Sequence, residues 1–151
     1  MMTIDVLDKH GIQIAQLSPA TLKKIGALAP PWQHLGNPAD IWASSMIAGH
    51  PLDEVFLAVL DAMLQDENVD AVMVLFPAFL VRGNEARFLD VMGRSRGKPV
   101  VAWPDNTIGP LGKPITALEK AGVGFFPTVD RAARVLSCLN QRWQYLASVG
   151  A

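Results

Sequence analysis

Two hydrophobic patterns alternate along this chain. Short blocks are apolar at nearly every position, and longer stretches carry apolar residues every third or fourth position. The first pattern is that of a strand covered on both faces, the second that of a helix with one buried side. Residues 52–64 are the clearest helix, with Leu52, Val55, Phe56, Val59, Leu60 and Met63 on one face. Residues 69–76 are the strongest strand and 98–103 a second buried one, with shorter strands predicted over 12–17 and 124–127. Helices are predicted over 1–9, 19–27, 85–92 and 111–120. A long C-terminal helix follows Thr128, with Ala132, Val135, Leu136 and Leu139 facing inward.

The punctuation agrees with this reading. Ser18-Pro19 supplies an N-cap and a first-turn proline, and Thr128 a second N-cap. His10-Gly11 and Gly122 are glycine stops. Strands alternating with helices predict an α/β domain with a mainly parallel sheet and helices on both faces. No repeat, low-complexity tract or linker divides the chain, so residues 1–151 read as a single domain.

One stretch fits neither period. Ala29-Pro30-Pro31-Trp32-Gln33-His34-Leu35-Gly36-Asn37-Pro38-Ala39-Asp40 stacks two prolines, a tryptophan and an Asn-Pro turn. Prolines fix φ and remove backbone donors, so this is neither ordinary helix nor central strand. An ordered loop of this length is a candidate for function, and Trp32 and Trp42 are expected to anchor it by packing.

Composition narrows the classes. Half of the 151 residues are hydrophobic and 18% are charged, which excludes general disorder. A net charge of −1 without a long basic run argues against a nucleic-acid surface. The apolar runs are too short to span a bilayer, and the acidic start (Asp5, Asp8) is unlike a secretory signal. With Cys138 as the single cysteine, no internal disulfide or cysteine metal cluster forms, and a cytoplasmic setting is expected.

Few residues carry chemistry. His10, His34 and His50 have no ligand-spaced partner, so no metal site is assigned. Ser44, Ser45 and Thr107 have no evident base beside them. Asn37 and Asp40 are placed to position a ligand or a partner's loop, or else to bond local backbone as Asx residues commonly do. Arg82 and Asn84 follow the strongest strand, and Asp105 and Asn106 follow the second. Ligands gather at the carboxyl ends of parallel strands, which makes these four residues cleft candidates. The alternative for each pair is a solvated turn leading into the next helix.

Three segments together resemble one family. They are Leu17-Ser18 with Leu28-Ala29-Pro30-Pro31-Trp32 and Gly36-Asn37-Pro38-Ala39-Asp40, the entry Asp66-x-x-Val69-Asp70-Ala71-Val72 into a strand, and Gly97-Lys98-Pro99-Val100-Val101. The chain resembles the C-terminal flavodoxin-like ligase subdomain of NDP-forming, succinyl-CoA synthetase-like acyl-CoA synthetases, from about residue 2 to about 145. The resemblance implies a three-layer fold and a parent acid–thiol ligase that joins an acid to CoA with ATP, giving acyl-CoA, ADP and phosphate. CoA, ATP or ADP and Mg belong to that parent. The family's phosphohistidine, CoA and nucleotide reside on other domains, and no glycine-rich phosphate loop is present here.

The chain alone is therefore expected to be inactive and to bind none of these cofactors. Its expected role is to contribute architecture and cleft rim alongside other domains or subunits, as a homo-oligomer, with neither nucleic acid nor membrane as partner. The other class of reading is a non-catalytic regulatory or protein-interaction module binding a small ligand such as CoA. The family's first strand has no counterpart here. It would lie between the strands at 12–17 and 69–76, and the gap is expected to be closed by direct pairing of those two or by another chain.

Overall fold

The computed structural model describes residues 2–76, 78–80, 83–104 and 112–150. Helices α1 (Met2–Lys9), α2 (Pro19–Gly26), α3 (Trp42–Met46) and α4 (Leu52–Gln65) precede strand β1 (Val72–Phe76). A 3₁₀ turn (Ala78–Leu80) leads to α5 (Glu85–Gly93), then β2 (Val100–Pro104), α6 (Gly112–Lys120), β3 (Val123–Phe125) and α7 (Val129–Ser148). The strands pair in parallel in the order β1-β2-β3, with Val72 opposite Val100 and Val100 opposite Val123. This is the expected α/β architecture: a parallel sheet between helix layers, consistent with a flavodoxin-like fold.

Strand alternation sorts the core into two layers. Val72, Phe76, Val100, Ala102 and Val123 face the larger cluster, where α4 contributes Val55, Phe56, Val59 and Leu60 and α5 contributes Phe88. Phe56, Phe76, Phe88 and Phe125 meet there at centroid distances of 5.2–5.7 Å, two pairs edge to face. Val101 and the half-buried Met73 and Trp103 face the opposite layer, built from Leu7 of α1 and Ala132, Ala133 and Leu136 of α7.

The helix ends follow the sequence signals. The Ser18 hydroxyl accepts from the Thr21 N–H at 3.3 Å, and the Thr128 hydroxyl from the Arg131 N–H at 3.3 Å. Gly11 and Gly122 adopt φ of 69° and 95°, the left-handed stop that glycine takes without strain.

Three expectations change. Residues 12–17 form no strand: among the described residues, the segment's one backbone–backbone hydrogen bond runs from the Ile12 N–H to the Leu7 carbonyl. Direct pairing with β1, one of the two ways to close the expected gap, therefore does not occur, and β1 stands at the sheet edge. In α7 the inward residues are Ala132, Ala133, Leu136 and Ser137, while Leu139 is 42% exposed because the helix outruns the sheet it packs on. The proline-rich stretch is followed by the short helix α3, which the periodicity does not reveal.

Candidate functional site

The proline loop is an ordered shape held by polar cross-ties. Pro30 and Leu35 are buried and anchor it to the core. The Gln33 side-chain amide donates to the Asp40 carbonyl at 2.8 Å, which closes the loop across its neck. The Asn37 side chain donates to the Ala15 carbonyl at 3.0 Å and ties the loop to the segment 12–17. Asp40 Oδ1 accepts from the Trp42 N–H at 3.2 Å, an Asx turn that starts α3. The Asn37–Pro38 peptide is cis. Both Asn37 and Asp40 are exposed, so their hydrogen bonds shape the loop while an edge of each remains open to solvent.

The tryptophans do not anchor the loop. Trp32 is 64% exposed and Trp42 50%, and Met46 and Ile47 beyond them are 76% and 62% exposed. Trp42 and Met46 stand one turn apart on α3 and share a face. Beside them, a groove of about 370 Å³ runs between α2 and the loop, lined by Leu22, Ala29, Pro30, Pro31, Gln33 and His34.

Asn84 occupies a different place. It precedes α5, donates to the Leu80 carbonyl at 3.1 Å and accepts from Arg87 Nη1 at 3.3 Å. Its hydrogen bonds share no partner with those of Asn37 and Asp40. Arg82, Asp105 and Asn106 lie outside the described residues. Arg87 also reaches Asp53 at 2.6 Å, and Arg94 bridges Asp90 at 2.9 Å and Asp61 at 3.6 Å. Arg87, Arg94, Asp61 and Asp90, with Glu54, line a groove of about 510 Å³ between α4 and α5.

The histidines are likewise held by local partners or exposed. His10 Nε2 lies 3.1 Å from Asp130, and its carbonyl accepts from the Ser137 hydroxyl at 2.9 Å. The His10 contact, opposed by burial and aided by the Lys9 charge, holds the Asp130 carboxyl below its usual range. His34 and His50 are exposed. Among the described residues, no group of three or more His, Cys, Asp or Glu side chains is arranged around a metal position. No helix among them is long and apolar enough to cross a membrane.

Sequence reasoning uses Asp66 only within the strand-entry motif and gives it no role. It caps the C-terminus of α4 and is only 3% exposed. Burial pushes its pKa up, but hydrogen bonds from the Asn68 N–H, the Thr21 side chain, the Ser18 N–H and the Ser18 side chain outweigh that and bring it down to about 2. The Ser18 and Asn68 amides approach at 2.8 and 3.0 Å, and Lys98 donates to the Asp66 carbonyl. One residue thus joins the starts of α2 and β2 to the end of α4. The signal in the sequence was an Asp at a helix end in the segment Asp66-Glu67-Asn68, which reads equally as a solvated turn.

Comparison with known proteins follows the same line. No family model matches the chain. It is 26% identical over 128 residues to the ADP-forming acetate–CoA ligase II of Archaeoglobus fulgidus, covering 83% of this chain and 18% of that protein. It is 27% identical over 157 residues to the alpha subunit of the ADP-forming acetate–CoA ligase II of Pyrococcus furiosus, covering 99% of this chain and 32% of that subunit. A trans-feruloyl-CoA synthase, FCS1, from an unknown prokaryotic organism is 26% identical over 151 residues, covering 91% of this chain and 20% of that protein. The crystal structure of PH0766 from Pyrococcus horikoshii OT3 shares the fold, with a TM-score of 0.68 at 24% identity over 91% of this chain and 31% of that one.

The fold is thus that of an α/β parallel-sheet domain found within a larger protein. Over most of its length the chain is a distant homologue of ADP-forming acetate–CoA ligases and of a feruloyl-CoA synthase. It spans between 18% and 32% of the length of these relatives.

Proposed function

We propose that this chain is a structural module of an ADP-forming acyl-CoA synthetase, one that shapes the cleft rim and docks against the domains carrying the reacting groups. The observation that carries this reading is the pairing of two coverages. Nearly all of the chain aligns with ADP-forming acetate–CoA ligases, yet it corresponds to a third or less of their length. The parent reaction joins a carboxylic acid to CoA with ATP cleavage. In this reading CoA, the nucleotide and Mg are held by other domains or subunits, and the relative named as an alpha subunit favours such a division between chains. The exposed Trp32, Trp42, Met46 and Ile47 form the docking face. Asn37 and Asp40 form the rim beside it and Asn84 contributes rim after β1, while Arg82, Asp105 and Asn106 are proposed as cleft residues on sequence position alone.

The test is complementation. The 151-residue chain is mixed with an ADP-forming acetate–CoA ligase from which the corresponding region has been deleted, and thioester formation from acetate, CoA and ATP is measured. Restored turnover, with none from either part alone, is the expected result. Calorimetric binding of CoA or nucleotide to this chain without restored turnover would replace this reading with a ligand-sensing module.

A further inference from the structure

We infer that the exposed side of α7 is a docking site for an acidic amphipathic helix of a partner protein. The inference goes beyond the proposed synthetase role and rests on α7 alone. The exposed side chains of this helix fall into two lines. Arg131, Arg134, Cys138, Arg142 and Tyr145 follow one another at helical spacing and are all exposed, on the face opposite the buried Ala132, Ala133 and Leu136. Leu139, Trp143 and Leu146 form a second line on the helix flank, roughly a quarter turn from the first. Leu139 is 42% and Trp143 68% exposed, and Leu146 is half-buried.

The charges of α7 are arranged against its own stability. Arg131 and Arg134 stand in its first two turns, near the positive end of the helix dipole, and its last turn carries no cation. Arg131 also occupies the third position after the Thr128 cap, where a glutamate would complete a capping box. The single acid of the helix, Asp130, is engaged by His10 and Lys9. Among the described residues, none of Arg131, Arg134 and Arg142 pairs with a carboxylate, whereas Arg87 and Arg94 are both bridged. Cations set against the dipole and left without counter-ions suit an anion from outside the chain.

The two lines together select the occupant. No acidic residue follows Asp130 in α7, so two copies packed through this helix would bring arginine to arginine without compensation. A bilayer would meet the arginines on the outward face before the apolar flank, the reverse of what an interfacial helix presents. Nucleic acid would neutralise the arginines and leave Leu139, Trp143 and Leu146 in water. An amphipathic helix lying along the flank satisfies both lines. Its apolar stripe covers Leu139, Trp143 and Leu146 at coiled-coil spacing, and its carboxylates reach the guanidinium groups of Arg131 and Arg142.

The probe is an acetylated and amidated peptide of three Glu-Leu-Ala-Ala-Leu-Glu-Gln repeats, titrated into the full chain by calorimetry. The controls are the same peptide with lysine for glutamate and a scramble without an apolar face. Saturable binding of the glutamate peptide alone is expected. The double variant Arg131→Glu, Arg142→Glu should weaken it by about tenfold or more and transfer binding to the lysine peptide. Its urea midpoint should not fall, since Arg131→Glu completes the capping box. Trp143→Ser should weaken binding by about tenfold without changing the charge preference. No binding, equal binding of either control, or a chain dimer that Trp143→Ser dissolves would each overturn the inference. So would capture of phosphatidylserine vesicles or duplex DNA by the same arginines in place of the peptide. None of these readouts involves thioester formation, so this test and the complementation assay fail independently.

Discussion

Two residues bear on the stability of this chain more than their types suggest, in opposite directions. The Asp66 carboxyl has a folded-state pKa of about 2, below the ordinary aspartate value, so it stabilises the fold when ionised. The sign follows directly: the contribution is complete above about pH 4 and is lost as pH falls towards 2. Glu67 and Asn68 beside it are exposed and solvent screens part of the interaction, so we expect about 1–2 kcal/mol. Asp66→Asn should lower the urea midpoint at pH 7 and bring the variant closer to the parent at pH 2.5; an equal deficit at both pH values would count against the ionised form. Arg96 is the converse case. It holds φ at 56° in a turn where the Lys98 N–H donates to the Ser95 carbonyl, next to Gly97 at φ 75°. Left-handed backbone is costly for arginine and mild for asparagine, so Arg96→Asn should stabilise by about 0.5 kcal/mol, read as a higher urea midpoint at unchanged slope. Neither role was legible in advance, since each depends on what the rest of the chain brings alongside. Asp40 was legible: the local backbone bond expected of an Asx residue is the one it makes, to the N–H two residues on. Asn37 instead bonds a carbonyl 22 positions away, which no local pattern announces.

Elements were readable where their signals are local. α2 and α7 begin at the serine and threonine expected to cap them, because a cap is a contract between residues three apart. Ser18→Ala and Thr128→Ala should each cost about 1 kcal/mol in chemical denaturation. Ser18→Ala should be the costlier, since its hydroxyl also bonds the Thr21 side chain and supports Asp66. A difference in the opposite order would mean that the Asp66 cluster contributes little. β1 and β2 were readable because continuous apolar blocks need burial on both faces. Residues 12–17 have suitable side chains and those side chains are packed, yet a strand is defined by a neighbour's backbone, which apolar patterning does not report. The same limit explains α7. Its stripe continues through Leu139 and Trp143, and only the sheet's length decides where burial ends.

At the scale of the whole molecule, most of the exposed large apolar side chains among the described residues fall in two stretches of sequence. Trp32, Trp42, Met46 and Ile47 lie on the proline loop and the α3 region, and Leu139, Trp143 and Tyr145 lie along the outer half of α7, with Val149 just past its end. Isolated exposed hydrophobics are ordinary on a monomer, whereas clusters containing tryptophan have the composition of interface centres. In the proposed function the docking face is the loop cluster rather than α7. Its backbone is fixed by the Gln33–Asp40 and Asn37–Ala15 ties, so little ordering entropy remains to oppose association. The double variant Trp42→Ser, Met46→Ser removes two exposed side chains from one helix face and should change folding stability by less than about 0.5 kcal/mol. In the complementation mixture it should raise the chain concentration needed for half-maximal thioester formation by about 30-fold, the effect of losing a central anchor of about 2 kcal/mol. Trp143→Ser on α7 provides the comparison and should leave that concentration within about threefold of the parent. If the α7 variant weakens complementation and the loop variant does not, the docking face lies on the opposite helix layer. In that case the cross-ties of the proline loop serve the fold alone.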